Sequence, residues 1–399
     1  MALILNMVGA HDVFLINNPT LNFFKQSYQT FYNLSHDAYE LLPLNKVDFN
    51  TKVTFEVLKR ADFINKMYVN ITVPQLQKSS DSTYASWVNS FANSVIEKVE
   101  LDIGGVIIDT QYGLQKEIND ELSKQEDNAY DLMIGKYPNR LLKYNALQQN
   151  TFSLPLSFWF NKSLGDSFPL LALKYNTIKI HVYIRPFDQC ILYDGSIPPY
   201  NVGISKCSII SDYIFIDNNL RTQMLNDSII GNGINYMITQ TQLFTDIIPS
   251  NKNTYMASTL SFNHPVFELQ FVFQDNVSID NNDYFNFSKR IDNSSPIKDL
   301  KLVLDGIDLF DVMPERYFRV LQADMKHTKI PDKYIYTYSF SNKPEQFQPS
   351  GSLNLSRIDQ LNIVFTMNNL VSETKLCIFG LNYNFIKIQK GYCVLLFND

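Results

Sequence analysis

The chain has 399 residues and a mass of 46.2 kDa, long for one hydrophobic core and sufficient for two. Its formal charge of −6, with no Lys/Arg block, excludes the electrostatic footprint that a phosphate backbone requires, so direct nucleic acid is not an expected partner. Hydrophobic residues at 45%, charged residues at only 19% and aromatics at 14% exclude a disordered chain and favour packed sheets over helices.

Met1-Ala2-Leu3-Ile4-Leu5 lacks a charged leader and meets polar residues early, so a secretory signal is not expected. The longest apolar runs, such as Val106-Ile107-Ile108, fall far short of the ~20 residues that span a bilayer, and a soluble chain made inside the cell is expected. Alternation dominates from there on. Phe63, Met67, Val69, Ile71 and Val73 share odd positions before Pro74, which predicts a strand over 64–73. Val99, Leu101 and Ile103 alternate with acids up to Gly104-Gly105, a hairpin turn whose return begins at Val106. Helical spacing is scarce, the best candidates being 112–119 and 127–134.

Three segments of the first half recur in the second in the same order. Lys98 to Val106 is echoed by Leu300 to Ile307, with Gly105 aligned on Gly306 at an offset of 201 residues. Asp212-Tyr213-Ile214-Phe215-Ile216 is echoed by Asn382-Tyr383-Asn384-Phe385-Ile386, at an offset of 170. Between them, Leu171 and Leu173, a polar interruption, then Ile178 and Ile180 match Leu353 and Leu355, an interruption, then Leu361 and Ile363. Strand, polar bend, strand is what a sandwich needs where the chain leaves one sheet for the other. At the second bend Arg357 and Asp359 are expected to brace the corner with charge-assisted hydrogen bonds.

Two β halves of about 200 residues with long corner connections predict an all-β fold of two consecutive eight-stranded jelly-roll sandwiches, with short helices in loops. Immunoglobulin-like sandwiches need only ~100 residues each and fit less well. The expected division is an N-terminal arm over 1–30, a first jelly roll over 31–205 and a second over 206–399, with the boundary between Pro198 and Asp212.

Chemistry-bearing patterns are few. Cys190, Cys207, Cys377 and Cys393 show no C-x-x-C spacing and read as buried thiols. The five histidines, His11, His36, His181, His264 and His327, lack ligand spacing, and no phosphate loop, dinucleotide fingerprint, H-E-x-x-H or G-x-S-x-G occurs. Asp305 to Asp311 and Asp275 to Asp283 lack the order of a calcium loop and read as acidic turns. No catalytic, metal or cofactor-binding residue is assigned, and no enzyme is expected. The aromatic arm, with Phe14-Leu15-Ile16, Phe23-Phe24, Tyr28, Phe31 and Tyr32, suits packing on its own or neighbouring subunits, with a membrane contact as the alternative.

Longer runs carry a resemblance. Asn18-Pro19-Thr20-Leu21-Asn22-Phe23-Phe24-Lys25-Gln26-Ser27-Tyr28, Leu154-Pro155-Leu156-Ser157-Phe158-Trp159-Phe160 and Phe168 to Tyr175 lie in the first half. Tyr317-Phe318, His327-Thr328, Pro331-Asp332, Tyr336 to Phe340, Pro344-Glu345, Gln348 to Gly351 and Asn354 to Asp359 follow in the second, with Asn382-Tyr383-Asn384 and Gly391 near the end. Through these residues the chain resembles the double jelly-roll major capsid proteins of the nucleocytoplasmic large DNA viruses, such as iridoviruses, chlorella viruses and giant viruses. It departs from them at His11, where the family often has Gln, at Lys326-His327, where a His pair is usual, and in its short length, which implies reduced outer loops. The resemblance implies a homotrimer that forms pseudo-hexagonal capsomers and tiles an icosahedral shell. It further implies contacts with neighbouring capsomers and minor capsid proteins, an inner membrane reached through the arm, synthesis in the host cytoplasm and residence in the virion. A minor capsid, penton or scaffold paralogue is the nearest alternative, and a carbohydrate-binding sandwich or hydrolase the alternative of another class.

Overall fold

The computed structural model describes residues 9–19, 24, 28, 30–124, 127–229, 231–258 and 260–398. Much of the expected arm (1–8, 20–23, 25–27 and 29) lies outside the described residues; within it, Ala10–Ile16 is helical.

Beside short strands, eight principal strands build the first half: β1 (Leu34–Leu41), β2 (Lys52–Glu56), β3 (Phe63–Val73), β4 (Ile96–Ile103), β5 (Val106–Tyr112), β6 (Asn150–Pro155), β7 (Ile178–Ile184) and β8 (Lys206–Ile216). Eight more build the second: β9 (Ile234–Ile248), β10 (Thr254–Ala257), β11 (Pro265–Asp275), β12 (Ile297–Leu304), β13 (Ile307–Asp308), β14 (Tyr336–Ser339), β15 (Leu361–Met367) and β16 (Thr374–Gln389). The sheets run β1-β8-β3-β6 and β2-β7-β4-β5 in the first half, β9-β16-β11-β14 and β10-β15-β12-β13 in the second. All pairs are antiparallel, and adding eight to each strand of the first half gives its counterpart in the second. This is the order of two jelly rolls.

The echoed segments are counterparts in this scheme. The turns between β4 and β5 and between β12 and β13 both use two residues with positive φ, Gly104 (66°) and Gly105 (91°) in one, Asp305 (48°) and Gly306 (81°) in the other. That backbone twist matches the strands it joins. At Gly104 a Cβ would also stand 2.0 Å from Asn176 Nδ2, so the Asn176 side chain would have to move to admit one.

Each corner has the same construction. Phe168–Pro169 bridges to β3 before one 3-10 turn, Leu170–Ala172, leads into β7; Leu353–Asn354 bridges to β11 before the 3-10 turn Leu355–Arg357 leads towards β15. Arg357 and Asp359 do not brace the second corner: both are exposed, and neither makes an ion pair or side-chain hydrogen bond among the described residues. The neutral neighbours do so. Asn354 Oδ1 accepts from Ser356 N (3.1 Å), Ser356 Oγ accepts from His264 N (2.7 Å), and Leu355 N donates to His264 O (3.0 Å). A bend this tight brings backbone groups within reach of short Asn and Ser side chains, while a long Arg extends past them.

The expected boundary after residue 205 separates β8 from its sheet, because Lys206–Ile216 is hydrogen-bonded between β1 and β3. The helix Asn218–Ile229, weakly patterned and not anticipated, then leads to β9. Two helices, Gly113–Ser123 and Asn128–Ile134, lie where the spacing predicts them, the first running four residues further.

Each sandwich has an aromatic core. Trp87, Phe91 and Phe152 are fully buried in the first, with ring centroids 5.1 and 4.8 Å apart; Phe271, Tyr336 and Phe365 fill the second, with Phe271 at 5.5 and 5.8 Å from the other two. The halves are not independent. β9 and β16 pair over their whole length, and their far ends enter the first core through Ile238, Ile386 and Ile388. Conversely, Ile118 and Leu122 of the helix Gly113–Ser123 pack on Val272, Cys377 and Phe379, covering the outer face of the β11 sheet. That cover is why β11 is buried on both faces instead of alternating.

Ile386→Ala is expected to destabilise the first sandwich although the residue belongs to the second, by about 2–5 kcal/mol as for a buried aliphatic truncation. Both tryptophans, Trp87 and Trp159, sit in the first core. Urea unfolding followed by tryptophan emission should therefore shift to lower denaturant; an unchanged midpoint would mean that the strand end is not structural there.

Candidate functional site: the seam between the sandwiches

The groups with altered chemistry gather where the two halves meet. The helix Gly113–Ser123 places Glu117 and Glu121 one turn apart on one face, beside Ile118 and Leu122. Glu117 is fully buried. Lys333 Nζ, from the second half, lies 2.5 Å from Glu117 Oε1 and 3.3 Å from Glu121 Oε1; Lys136 Nζ lies 2.9 Å from Glu121, and Asn93 Nδ2 donates to Glu117 (2.8 Å). Burial opposes ionisation of both glutamates, yet the two ammonium groups outweigh it and hold both carboxyls below the ordinary range.

A second cluster centres on His327. Its Nε2 stands 2.6 Å from Glu268 Oε1 and its Nδ1 3.2 Å from Glu345 Oε1, with the imidazole and the Glu268 side chain both buried. Burial alone depresses the imidazole pKa, but the flanking carboxylates reverse this and raise it to about 10. The ring is thus an imidazolium at neutral pH, donating from both nitrogens, and has no lone pair with which to act as a base.

Further hydrogen bonds complete the seam. Asp109 Oδ1 on β5 accepts from Thr241 N on β9 (3.0 Å), Gln240 donates to Ile108 O, Gln115 Nε2 donates to Thr241 Oγ1 (3.0 Å), and Gln270 Nε2 donates to Asn119 Oδ1 (3.0 Å). Burial pushes the Asp109 carboxyl up to about 6. These residues border a cavity of about 600 Å³ between the halves, which also holds Lys66, Lys116 and Lys162. Its charges are mostly engaged, Lys116 with Asp120 (3.1 Å) and Lys66 with the carbonyl of Asn161 (2.5 Å). Elements of both halves line the cavity, an arrangement that suits joining two bodies.

The residues considered from sequence stay apart. His36 meets Asp212 across β1 and β8 (2.9 Å), His181 meets Asp102 (3.3 Å), and His11 is on the exposed N-terminal helix. All four cysteines are buried free thiols, their pKa values raised by burial, Cys207 and Cys393 each to about 12. Asp275 caps a short helix by accepting from Val277 N (2.9 Å), Asp308 pairs with Lys301 (2.7 Å), and no group of metal-ligating side chains occurs among the described residues. Sequence reading missed both seam clusters. The available signal was the i, i+4 pair Glu117 and Glu121 flanking Ile118 and Leu122, which a helix ending at residue 119 cuts in half.

The architecture defines a class, the double jelly roll of viral shell subunits. The chain belongs to the large eukaryotic DNA virus major capsid protein family: that family's description matches residues 228–394, and "Major capsid protein N-terminus" matches 22–224. Membership assigns it a structural role as a major capsid protein, built into a virion shell beside neighbouring capsomers. Among its relatives is a major capsid protein of Phaeocystis pouchetii virus, 27% identical over 519 aligned positions that take in 98% of each chain. Another, from Paramecium bursaria Chlorella virus 1, is 26% identical and aligns over 96% of each. A solved structure described as the PBCV-1 virus capsid superposes with a TM-score of 0.81 at 23% identity, covering 95% of this chain and all of that one, which establishes the shared fold.

Lys333→Ala, which leaves Glu117 buried with only the more distant Lys136, is expected to cost about 2 kcal/mol in chemical denaturation. The two clusters also give opposite pH limits. The glutamates' folded pKa values are depressed, so their stabilisation is present above the ordinary carboxylate range and lost as pH falls through it. For His327 the folded pKa is raised, so its contribution is complete below 6.5 and lost as pH rises towards about 10. Thermal midpoints measured across that alkaline interval should decline in the wild type and decline less in His327→Gln; equal slopes would exclude His327 as the titrating group.

Proposed function

We propose that the chain is the principal subunit of an icosahedral capsid, closing as a homotrimer into a pseudo-hexagonal capsomer. The observation that carries this reading is the repetition of one strand order twice in one chain. Three copies of a two-sandwich subunit present six similar sides, and a six-sided block can meet identical neighbours through repeated edges. The division supporting this is an arm before β1, a first sandwich through β8 and a second from β9, with the helix Asn218–Ile229 between them; the two family matches part at residues 224 and 228.

Catalysis has no part in the reading. The histidine of the seam is held as an imidazolium by two carboxylates, and Asp109 is engaged by backbone amides. The arm is the segment for minor capsid proteins and neighbouring subunits, an inner membrane being its alternative contact, and synthesis takes place in the host cytoplasm. A minor capsid role is the second reading, and one observation favours it. Alignment with the Phaeocystis virus protein needs 519 positions for the 399 residues here, so the relative carries extra segments that this chain lacks.

The purified protein is expected to scatter light as a particle near three times 46.2 kDa across a tenfold dilution series. A monomer at every concentration would refute the trimer and favour the minor role.

A further inference from the structure

The jelly-roll path carries the connections after β2, β4 and β6 to one end of the first sandwich, together with the ends of β8 and β16 and the start of β9. Contacts confirm the convergence. Lys174 N and Tyr175 N both donate to Gly391 O (3.0 Å each), Cys393 N donates to Asn176 Oδ1 (3.0 Å), and Gly104 N donates to Thr177 O (2.8 Å).

This end carries an apolar surface that no part of the described chain covers. In the terminal strand Tyr392–Leu395, Cys393 and Leu395 pack on the first core while Tyr392 and Val394 point outward, each 53% exposed. Tyr175, 55% exposed, stacks on Tyr392 with centroids 4.7 Å apart. Phe397, 55% exposed, meets Phe385 edge-on at 6.2 Å, beside the same strand. Together the five expose on the order of 500 Å², more than scattered surface residues amount to.

Four lysines border the patch: Lys59, whose Nζ donates to Lys174 O (3.3 Å), Lys174 itself, Lys387 opposite Val394, and Lys390 in the turn before Gly391. Among the described residues none of the four forms an ion pair. Of the acids nearby, Asp102 is tied to Gly105 N and His181, Glu56 lies near Lys59 and favours its charged form, and Asp227 adjoins Ser228, whose carbonyl accepts from Lys390 N. A chain of net charge −6 thus gathers four lysines, outside any ion pair among the described residues, around exposed aromatic rings at one end.

We propose that this end docks on an anionic lipid bilayer, the Tyr and Phe rings entering the headgroup boundary and the four ammonium groups engaging headgroup phosphates and carboxylates. Aromatic rings with amphipathic character beside long lysine stems are what a membrane interface takes up. The charge complementarity is with a dense anionic surface, since each lysine near one strengthens attachment separately. The rings project from a turn, a loop and the C-terminal tail and do not line a groove, so they fit a broad surface better than a peptide segment. The inference goes beyond the shell role, and its failure would leave that role standing.

The test is flotation of the full-length protein with phosphatidylcholine vesicles, with and without phosphatidylserine, at low and high salt. The wild type is expected to float with the phosphatidylserine vesicles at low salt and to be released at high salt. Lys174→Glu with Lys390→Glu should lower that partition at least about tenfold, and Tyr392→Ser with Val394→Ser should lower it as well. An arm variant, Phe31→Ser with Tyr32→Ser, should float like the wild type. Tryptophan emission, which reports the first core, checks that each variant is folded. Absence of wild-type binding, binding unchanged by the charge reversal, or loss confined to the arm variant would each overturn the proposal. So would a fall in light-scattering mass on substitution of the patch, which would make it a contact between copies.

Discussion

Everything in this molecule depends on a two-stranded ribbon that belongs to both sandwiches. β9 and β16 pair from Ile234↔Ile388 to Ile248↔Thr374, a ladder of roughly 50 Å. One end is rooted in the second core through Ile248, Leu376 and Ile378, the other in the first through Ile238, Ile386 and Ile388. Where the ribbon passes between the cores its residues turn polar: Asn382 and Asn384, both buried, bond to Gln240 and Gln242 of the neighbouring strand. Continuous backbone hydrogen bonding therefore fixes how the halves sit, and surface ion pairs are not needed for it.

The buried charges serve a different end. Ionic clusters removed from water add little net stability, because desolvation offsets most of their attraction, but they penalise any arrangement that leaves one partner alone. Glu117 with Lys333 favours one register between the two sandwiches, while His327 with Glu268 and Glu345 holds segments of the second sandwich in place beside the seam. In the proposed capsomer, where three subunits together present six similar sides, a fixed angle between the two sandwiches of each matters more than added stability, since a hinge at the seam would spread the edge positions on which repeated contacts rely.

Features governed by local chemistry were legible in the sequence. The paired turns at Gly105 and Gly306 and the strand-bend-strand corners could be read because a turn or a bend is specified by the residues that form it. Arg357 and Asp359 misled because charge drew attention from Asn354 and Ser356, whose short side chains do the bonding. The seam was not legible: Lys333 and Glu117 stand 216 residues apart, and no local pattern announces that they meet. For the same reason β8 was assigned to the wrong half, since its alternation fits either sheet and only its pairing with β1 and β3 decides.

The central claim is that the ribbon makes the two sandwiches one cooperative body, and native-state hydrogen exchange tests it most directly. Amides of Ile209 in the first sandwich, Ile378 in the second and Ile386 in the ribbon should open with a single common free energy, and Ile386→Ala should lower all three together. Two separate opening energies for Ile209 and Ile378, with Ile386 exchanging faster than both, would contradict the account and describe two sandwiches on a tether.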